Sequence, residues 1–271
     1  MPYVLFYLKA LWYTLGIIVI CGLGVSFLQW LFTKMLGNGA GYKVILATSI
    51  LGTPIHELGH ALMCLLFGHR ITAMRLWQPR AKDGTIGFVT HTFNRRNPYH
   101  VLGNLFIGVG PICSGMAVLT LAVWLGFPDS FSTFVATAPT AAQSGDVLTL
   151  LFEGISLLPH MGMELIKGGD APLWLSIIAL ILILAVSQHI SLSVDDIKGA
   201  LRAIPLYLLL LLLLTVVCGL LGDVVMEAVL GGLALLSGYM TAFFAIALAA
   251  SLMQIVLAVP FWILRLLFSR R

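Results

Sequence analysis

Residues 43–68 read KVILATSILGTPIHELGHALMCLLFG, an apolar stretch interrupted by His56-Glu57-Leu58-Gly59-His60. At 3.6 residues per turn, His56 and His60 stack one above the other on a single helix face. Two imidazoles at that spacing can bind one Zn²⁺, and Glu57 is placed to take a proton from water on the metal. The three ionisable groups lie in a segment long enough to cross a bilayer. Burying them in hydrocarbon costs several kcal/mol unless they have partners, so they point to function. The competing interpretation, a polar cluster that only holds helices together, is the weaker one.

The rest of the chain is built for a membrane. Of 271 residues, 60% are hydrophobic and 10% charged, and the mean hydropathy is +1.03. A soluble domain keeps roughly a quarter of its residues charged. Apolar segments are expected at about 5–36, 43–68, 99–126, 173–192, 203–222 and 224–267. The first is too long for the apolar core of a signal peptide and lacks a small-residue cleavage site. The last is too long for one crossing, and Gly231-Gly232 suggests a short piece ahead of the main span. Leu208 to Leu214 has no polar face and is expected to look at lipid. Cys21, Cys64, Cys113 and Cys218 all sit in apolar segments without a CxxC pair, so they are expected to pack.

Loop charge sets the orientation. Residues 69–97 carry Arg70, Arg75, Arg80, Lys82, Arg95 and Arg96 against Asp83 alone. Residues 127–172 carry Lys167 against Asp129, Asp146, Glu153, Glu164 and Asp170. The excess of Lys and Arg makes the first loop cytoplasmic and the second external. Lys198, Arg202, Arg265, Arg270 and Arg271 then fall inside, and both termini are cytoplasmic. Lys34 and Lys43 land on the opposite side and are outnumbered. With the basic residues explained by topology, the net charge of +4 is no nucleic-acid signal.

Arg70–Trp77 and Thr85–Phe93 are β-branched and aromatic, and Lys82-Asp83-Gly84 between them is a turn signal, so a β-hairpin is expected next to the membrane. Residues 127–172 form a less ordered outer loop with an amphipathic helix over Val147–Ile166.

A proteolytic zinc site needs a third protein ligand. Ser187–Gly199 (SQHISLSVDDIKG) contains Asp195-Asp196, the one adjacent acidic pair in the chain. Ser191 and Ser193 favour a helix break that would turn a carboxylate toward the metal. Either aspartate could instead cap a short helix. His189 is a weaker candidate, better suited to supporting a ligand or packing a helix. Cys64, one turn after His60, is expected to pack. Asp223, Glu227, His91, His100 and His160 are expected at solvated or interfacial positions.

These residues resemble the site-2 proteases, intramembrane zinc metalloproteases that cleave membrane-anchored regulators. His56–His60 followed by Ala61 and Phe67-Gly68 is similar to that family's HExGH helix. Gly110-Pro111-Ile112-Cys113-Ser114 resembles its GPxxN motif, with Ser114 in place of Asn. Gln188–Ile197 resembles its NxxPxPxLDG motif, with Ser191 and Ser193 at the prolines, Asp196 at the ligand and Ile197 in place of Gly. The resemblance covers residues 43 to about 200 and implies a divergent member. It implies His56, His60 and Asp196 as zinc ligands, Asp195 being the alternative, and Glu57 as the base. Gln188, His189, Pro111 and Ser114 are implied near the active site. It also implies a transmembrane segment as substrate.

The expected fold is an all-α polytopic membrane protein of about six transmembrane helices with a small membrane-associated β-hairpin. Residues 1–42 form an N-terminal helix, 43–202 a catalytic core with the hairpin at about 70–93 and the outer loop 127–172, and 203–271 the C-terminal helices. The expected function is zinc-dependent endoproteolysis of a membrane-protein substrate, in the inner membrane of a prokaryote. Two alternatives are kept: a membrane gluzincin, with Glu153, Glu164 or Glu227 as third ligand, and a catalytically silent zinc-binding scaffold or chaperone.

The topology is open to a direct test. Single cysteines placed in 127–172 and near the C-terminus, each in a cysteine-free background, will label from opposite faces of sealed vesicles. Labelling from one face contradicts six crossings.

Overall fold

Apolar residues without turn signals propagate as helix, and most of this chain does so. The computed structural model describes residues 3–79, 84–144 and 147–268. Helix α1 (Tyr3–Leu11) continues through a π-helical turn (Trp12–Gly16) into α2 (Ile17–Leu66). Gly37 breaks α2 with φ 77° and ψ 168°, a conformation that only glycine adopts cheaply. The carbonyls of Lys34 and Met35 beside the break accept from Arg265 Nη1 at 3.2 and 3.5 Å. The expected segments 5–36 and 43–68 lie on either side of this break.

A two-stranded antiparallel sheet follows, β1 (Arg70–Arg75) with β2 (Phe88–Thr92). Arg70 pairs with Thr92 and Arg75 with Phe88, with an irregularity between Ile71 and Ala73. The strands are shorter than the expected runs, and Lys82 and Asp83 of the expected turn lie outside the described residues. Helix α3 (Pro98–Gly126) starts at Asn97, whose side chain accepts from Tyr99 N at 3.0 Å, with Pro98 at its first position.

Residues 127–172 are more ordered than expected. They hold α4 (Pro128–Ser144) and α5 (Val147–Lys167), the latter where the amphipathic helix is expected. Leu157 and Met161 of α5 enter the main core. Glu164 accepts from the backbone N–H groups of Asp129 and Ser130 and so caps α4. An apolar stripe met by neighbouring helices is why this stretch is not a loop.

Helix α6 (Leu173–Ser187), α7 (Val194–Leu201), α8 (Ile204–Leu221) and α9 (Asp223–Phe268) complete the chain. Gly231-Gly232 does not interrupt α9. Each glycine weakens a helix by about 1 kcal/mol relative to alanine, and α9 is held elsewhere along its length by packing against α2 and α5.

Among the described residues, four stretches are long and apolar enough to cross a membrane: Tyr3–Gly37, Pro98–Gly126, Ile204–Leu221 and Asp223–Leu267. Helix α6, of 15 residues, is apolar but shorter. The main core joins Ile17 and Val25 of α2, Ile112 and Leu119 of α3, Ile183 of α6 and Phe244 of α9. A second cluster packs Phe6 and Ala10 of α1 against Leu211 and Cys218 of α8. Of the leucine run, Leu209, Leu210 and Leu212 to Leu214 are exposed, but Leu211 turns inward into this second cluster, so the run is not uniformly outward-facing.

Helices α2 and α3 meet at two glycines. A Cβ on Gly59 would sit 2.5 Å from the Gly110 carbonyl oxygen, and one on Gly110 would sit 2.6 Å from that of Gly59. Backbone therefore touches backbone one residue from His60. Gly110→Val should force the helices apart and cost about 1–3 kcal/mol, read as a lower Tm in detergent. Gly231→Ala, where a Cβ meets nothing within 4 Å, should leave Tm unchanged or slightly raised.

Candidate metal centre

The helix carrying His56 and His60 ends at Phe67, where the bonds His69 N to Cys64 O (2.8 Å) and Gly68 N to Leu65 O (3.3 Å) form a Schellman cap. Gly68, at φ 68°, turns the chain out of the helix and into β1. The hairpin thus starts two turns from the histidines and returns over them.

Each imidazole is fixed by a carbonyl. His56 Nδ1 lies 2.7 Å from His189 O, and His60 Nδ1 lies 2.8 Å from Ile107 O. A carbonyl only accepts, so each Nδ1 carries the proton and each Nε2 keeps its lone pair. Both carbonyls are free for a reason. That of His189 lies just past the end of α6, where helix carbonyls lose their partners. That of Ile107 would ordinarily accept from residue 111 of its own helix, but Pro111 has no N–H. Pro111 acts by releasing the acceptor that orients His60.

Asp196 approaches both Nε2 atoms. His60 Nε2 lies 3.0 Å from one carboxylate oxygen and His56 Nε2 lies 3.7 Å from the other. Ser193 N–H donates to Asp196 at 2.7 Å, and Asp196 N–H donates to Ser193 Oγ at 3.1 Å. This capping box starts α7. The same carboxylate therefore caps a helix and faces the histidines, two roles the sequence divides between neighbours. Burial alone would push the Asp196 carboxyl up, but His56 and His60, when protonated at Nε2 as well, outweigh it and hold it below the usual carboxylate range. Asp195 points away, its side chain 92% exposed and 3.5 Å from Lys198 Nζ. Helix α7 reaches this position by lying on Gly108, where a Cβ would come within 2.9 Å of the Asp196 carbonyl oxygen.

One ligand atom from each of His56, His60 and Asp196 lies within 4.8 Å of the others. Two lone pairs and a carboxylate aimed at one point repel unless a cation or a proton lies between them. A metal ion satisfies all three, so the donor set fits one. Among the described residues this is the one such group. Glu164 is occupied in capping α4, Glu227 is not part of the group, and the Glu153 side chain lies outside the described residues.

Glu57 is buried at 6% exposure, and Gly87, just ahead of β2, crosses against it. A Cβ on Gly87 would meet Thr53 at 2.5 Å and the Glu57 carboxylate at 3.0 Å. On one side of this crossing is a cavity of about 490 Å³ bounded by β2, α3 and α7, reaching His56, Glu57, His60 and Asp196. On the other, a cavity of about 510 Å³ reaches His56, Glu57, Gln29, Thr53 and Gln188. Glu57 faces both.

The remaining sequence candidates sit around this centre. The His189 ring pairs with Thr48 Oγ1 at 3.1 Å while its carbonyl holds His56. Gln188 bonds Gln254, which also donates to Leu184 O and Ser187 Oγ, tying α9 to the end of α6. Ser114 Oγ donates to Ile55 O at 2.9 Å and so clamps α3 to α2 rather than facing the metal. Cys64 is fully buried outside the donor group, and all four cysteines are free. His91 and His100 are not simply solvated: both bond within a cluster around buried His69.

Gly87, Asn104 and His69 are the contributors that the motifs do not show. Asn104 was visible in principle as a lone amide inside the apolar run LGNLFIGVG.

No family model matches this sequence, and no curated protein or solved structure matches it either.

Asp196→Asn should strip bound metal from the purified protein by at least tenfold in affinity, whereas Asp195→Asn should leave it unchanged. Ser193→Ala removes the cap but keeps the carboxylate. It should cost about 1 kcal/mol of stability with metal retained. Metal analysis of the three variants separates the two roles of Asp196.

Proposed function

We propose that the chain is an intramembrane zinc metalloprotease of the site-2 type, hydrolysing a peptide bond in or near a transmembrane segment of a membrane-protein substrate. The observation that carries this is the convergence of His56, His60 and Asp196 at one point beside Glu57, with the histidines and Glu57 on the apolar helix α2. Two imidazole nitrogens and one carboxylate leaving an open position is the donor set of hydrolytic zinc sites. With the oriented Nδ1 protons it is a complete ligand shell on the protein side.

Zinc held by His56, His60 and Asp196 would supply a Lewis acid for the scissile carbonyl and would lower the pKa of water to about 7. Glu57 accepts the proton of the attacking water on its carboxylate. The water oxygen bonds to the carbonyl carbon, the C–N bond breaks, and Glu57 returns the proton to the leaving nitrogen. Glu57 opens onto both cavities, so its carboxylate can serve the attacking and leaving groups alike.

A helical segment is a poor substrate because its carbonyls are already hydrogen-bonded. The substrate must unwind, and the side of β2 that β1 does not cover offers backbone groups to an added strand. Strand β2 lines the cavity that reaches the metal ligands. The inner membrane of a prokaryote, about six crossings and cytoplasmic termini belong to the same proposal, resting on loop charge.

Glu57→Gln keeps both imidazoles and the carboxylate of Asp196 and removes the base. It should retain metal and lose cleavage of single-span substrates by about 10²-fold or more. Full activity would eliminate the proposed chemistry. Metal binding with no cleavage in the wild type, across a panel of such substrates, would favour the silent scaffold.

A further inference from the structure

Three histidines outside the metal centre form a chain whose proton directions can be worked out. His69 Nε2 lies 2.7 Å from His100 O, and a carbonyl only accepts, so Nε2 carries the proton. His69 Nδ1 is then an acceptor, and His91 Nδ1, 2.9 Å away, must donate to it. That leaves the lone pair on His91 Nε2. A doubly protonated His69 would reverse the direction. Burial, the largest influence, lowers the pKa of His69, so it is neutral at pH 7. Burial first, then the neighbouring His69, push His91 down to about 4, so it too is neutral.

The same His100 carbonyl fixes a second residue. Asn104 Nδ2 lies 3.3 Å from His100 O and 3.1 Å from Val101 O. Two carbonyls can be met only by the amide nitrogen, so the assignment of its two ends is forced, and Asn104 Oδ1 is left as an acceptor. No described residue bonds His91 Nε2 or Asn104 Oδ1 through any contact the structure shows, and both residues line the 490 Å³ cavity that holds His56, Glu57, His60 and Asp196. Asn104 is only 3% exposed. No fully buried side-chain nitrogen or oxygen among the described residues lacks a partner, so Asn104 Oδ1, which has none, opens into the cavity, where an incoming donor can reach it.

We propose that His91 and Asn104 are substrate-binding acceptors, taking hydrogen bonds from backbone N–H groups of an extended peptide segment lying in this cavity. The inference rests on the protease proposal and gives that site its recognition of an unwound backbone. An unwound segment in an apolar setting has N–H groups in need of partners, and these two acceptors face it from the hairpin and from α3. The proton directions also exclude another role for His91. Neutral, with Nε2 bare, it cannot donate to the oxyanion of the transition state, where a histidine beside a metal site would first be placed.

The test uses binding rather than turnover. An alanine–leucine pentapeptide hydroxamate and its singly N-methylated analogues are titrated calorimetrically into the zinc-loaded protein in detergent. Wild-type protein should lose about two- to tenfold in affinity for at least one N-methylated analogue, the size of one net hydrogen bond. His91→Phe and Asn104→Leu should each bind the parent about two- to tenfold more weakly and cease to discriminate at one amide, with metal content unchanged. In cleavage, both should raise KM while the turnover rate stays within a few-fold of wild type, since binding to ground state and transition state falls together. Turnover slowed by about a hundredfold or more in His91→Phe would instead identify an oxyanion donor and overturn the inference. Equal binding of every analogue by wild-type protein overturns it without any variant. If the parent hydroxamate fails to bind at all, the protease proposal falls and this inference with it; binding with unaltered discrimination in both variants removes this inference alone.

Discussion

His56 and His60 can present Nε2 lone pairs to a metal only because each Nδ1–H has a carbonyl to donate to, and those two carbonyls come from different parts of the fold. One is released by the end of α6, the other by Pro111, which supplies no N–H to the carbonyl one turn before it. If either acceptor were lost, its imidazole could turn over and offer the wrong nitrogen. The Gly59–Gly110 contact brings α3 close enough for the Ile107 carbonyl to reach His60. The polar network of Gln188, Ser187 and Gln254 holds the end of α6 where the His189 carbonyl reaches His56. The packing of three helices is thereby converted into the orientation of two rings.

Asp196 is under a different constraint. Its carboxylate has four lone-pair directions, and the structure uses one on the Ser193 N–H and turns both oxygens toward the histidines. Helix start and candidate ligand are thus the same side chain, so α7 cannot fray without disturbing the group formed by His56, His60 and Asp196. The hairpin adds the third wall. Gly68 turns the chain out of α2, Gly87 lets it pass against Glu57, and β2 closes a cavity whose polar lining includes His91 and Asn104 beside the site itself. A polar cluster in an apolar surrounding needs both a shaped cavity and partners for its buried groups, and these contacts supply them.

Much of the site was legible because its signals are local. The His56–His60 spacing is a property of one helix, and so is the Pro111 gap. The hairpin and the helix over 147–166 were likewise visible in residue pattern. What was not legible depends on approach between distant segments. Adjacent Asp195 and Asp196 are equivalent as letters, and only the packing of α7 on Gly108 turns one inward. The capping role expected of one aspartate and the facing role expected of the other fell on the same residue, because Ser193, not an aspartate, became the N-cap. The break expected at Gly231-Gly232 is absent because tertiary contacts along α9 override a weak local preference. His91 and His100 looked like interfacial residues because their partner, His69, is separated from them by the whole hairpin.

The central claim is that two imidazole nitrogens and one carboxylate oxygen from this chain hold a single zinc ion. X-ray absorption at the zinc edge of protein purified without chelator measures that shell. The account predicts one zinc per chain, surrounded only by nitrogen and oxygen at about 2.0–2.1 Å, with outer scattering from two imidazoles. A sulfur shell near about 2.3 Å, or protein without zinc that takes none up, would contradict it.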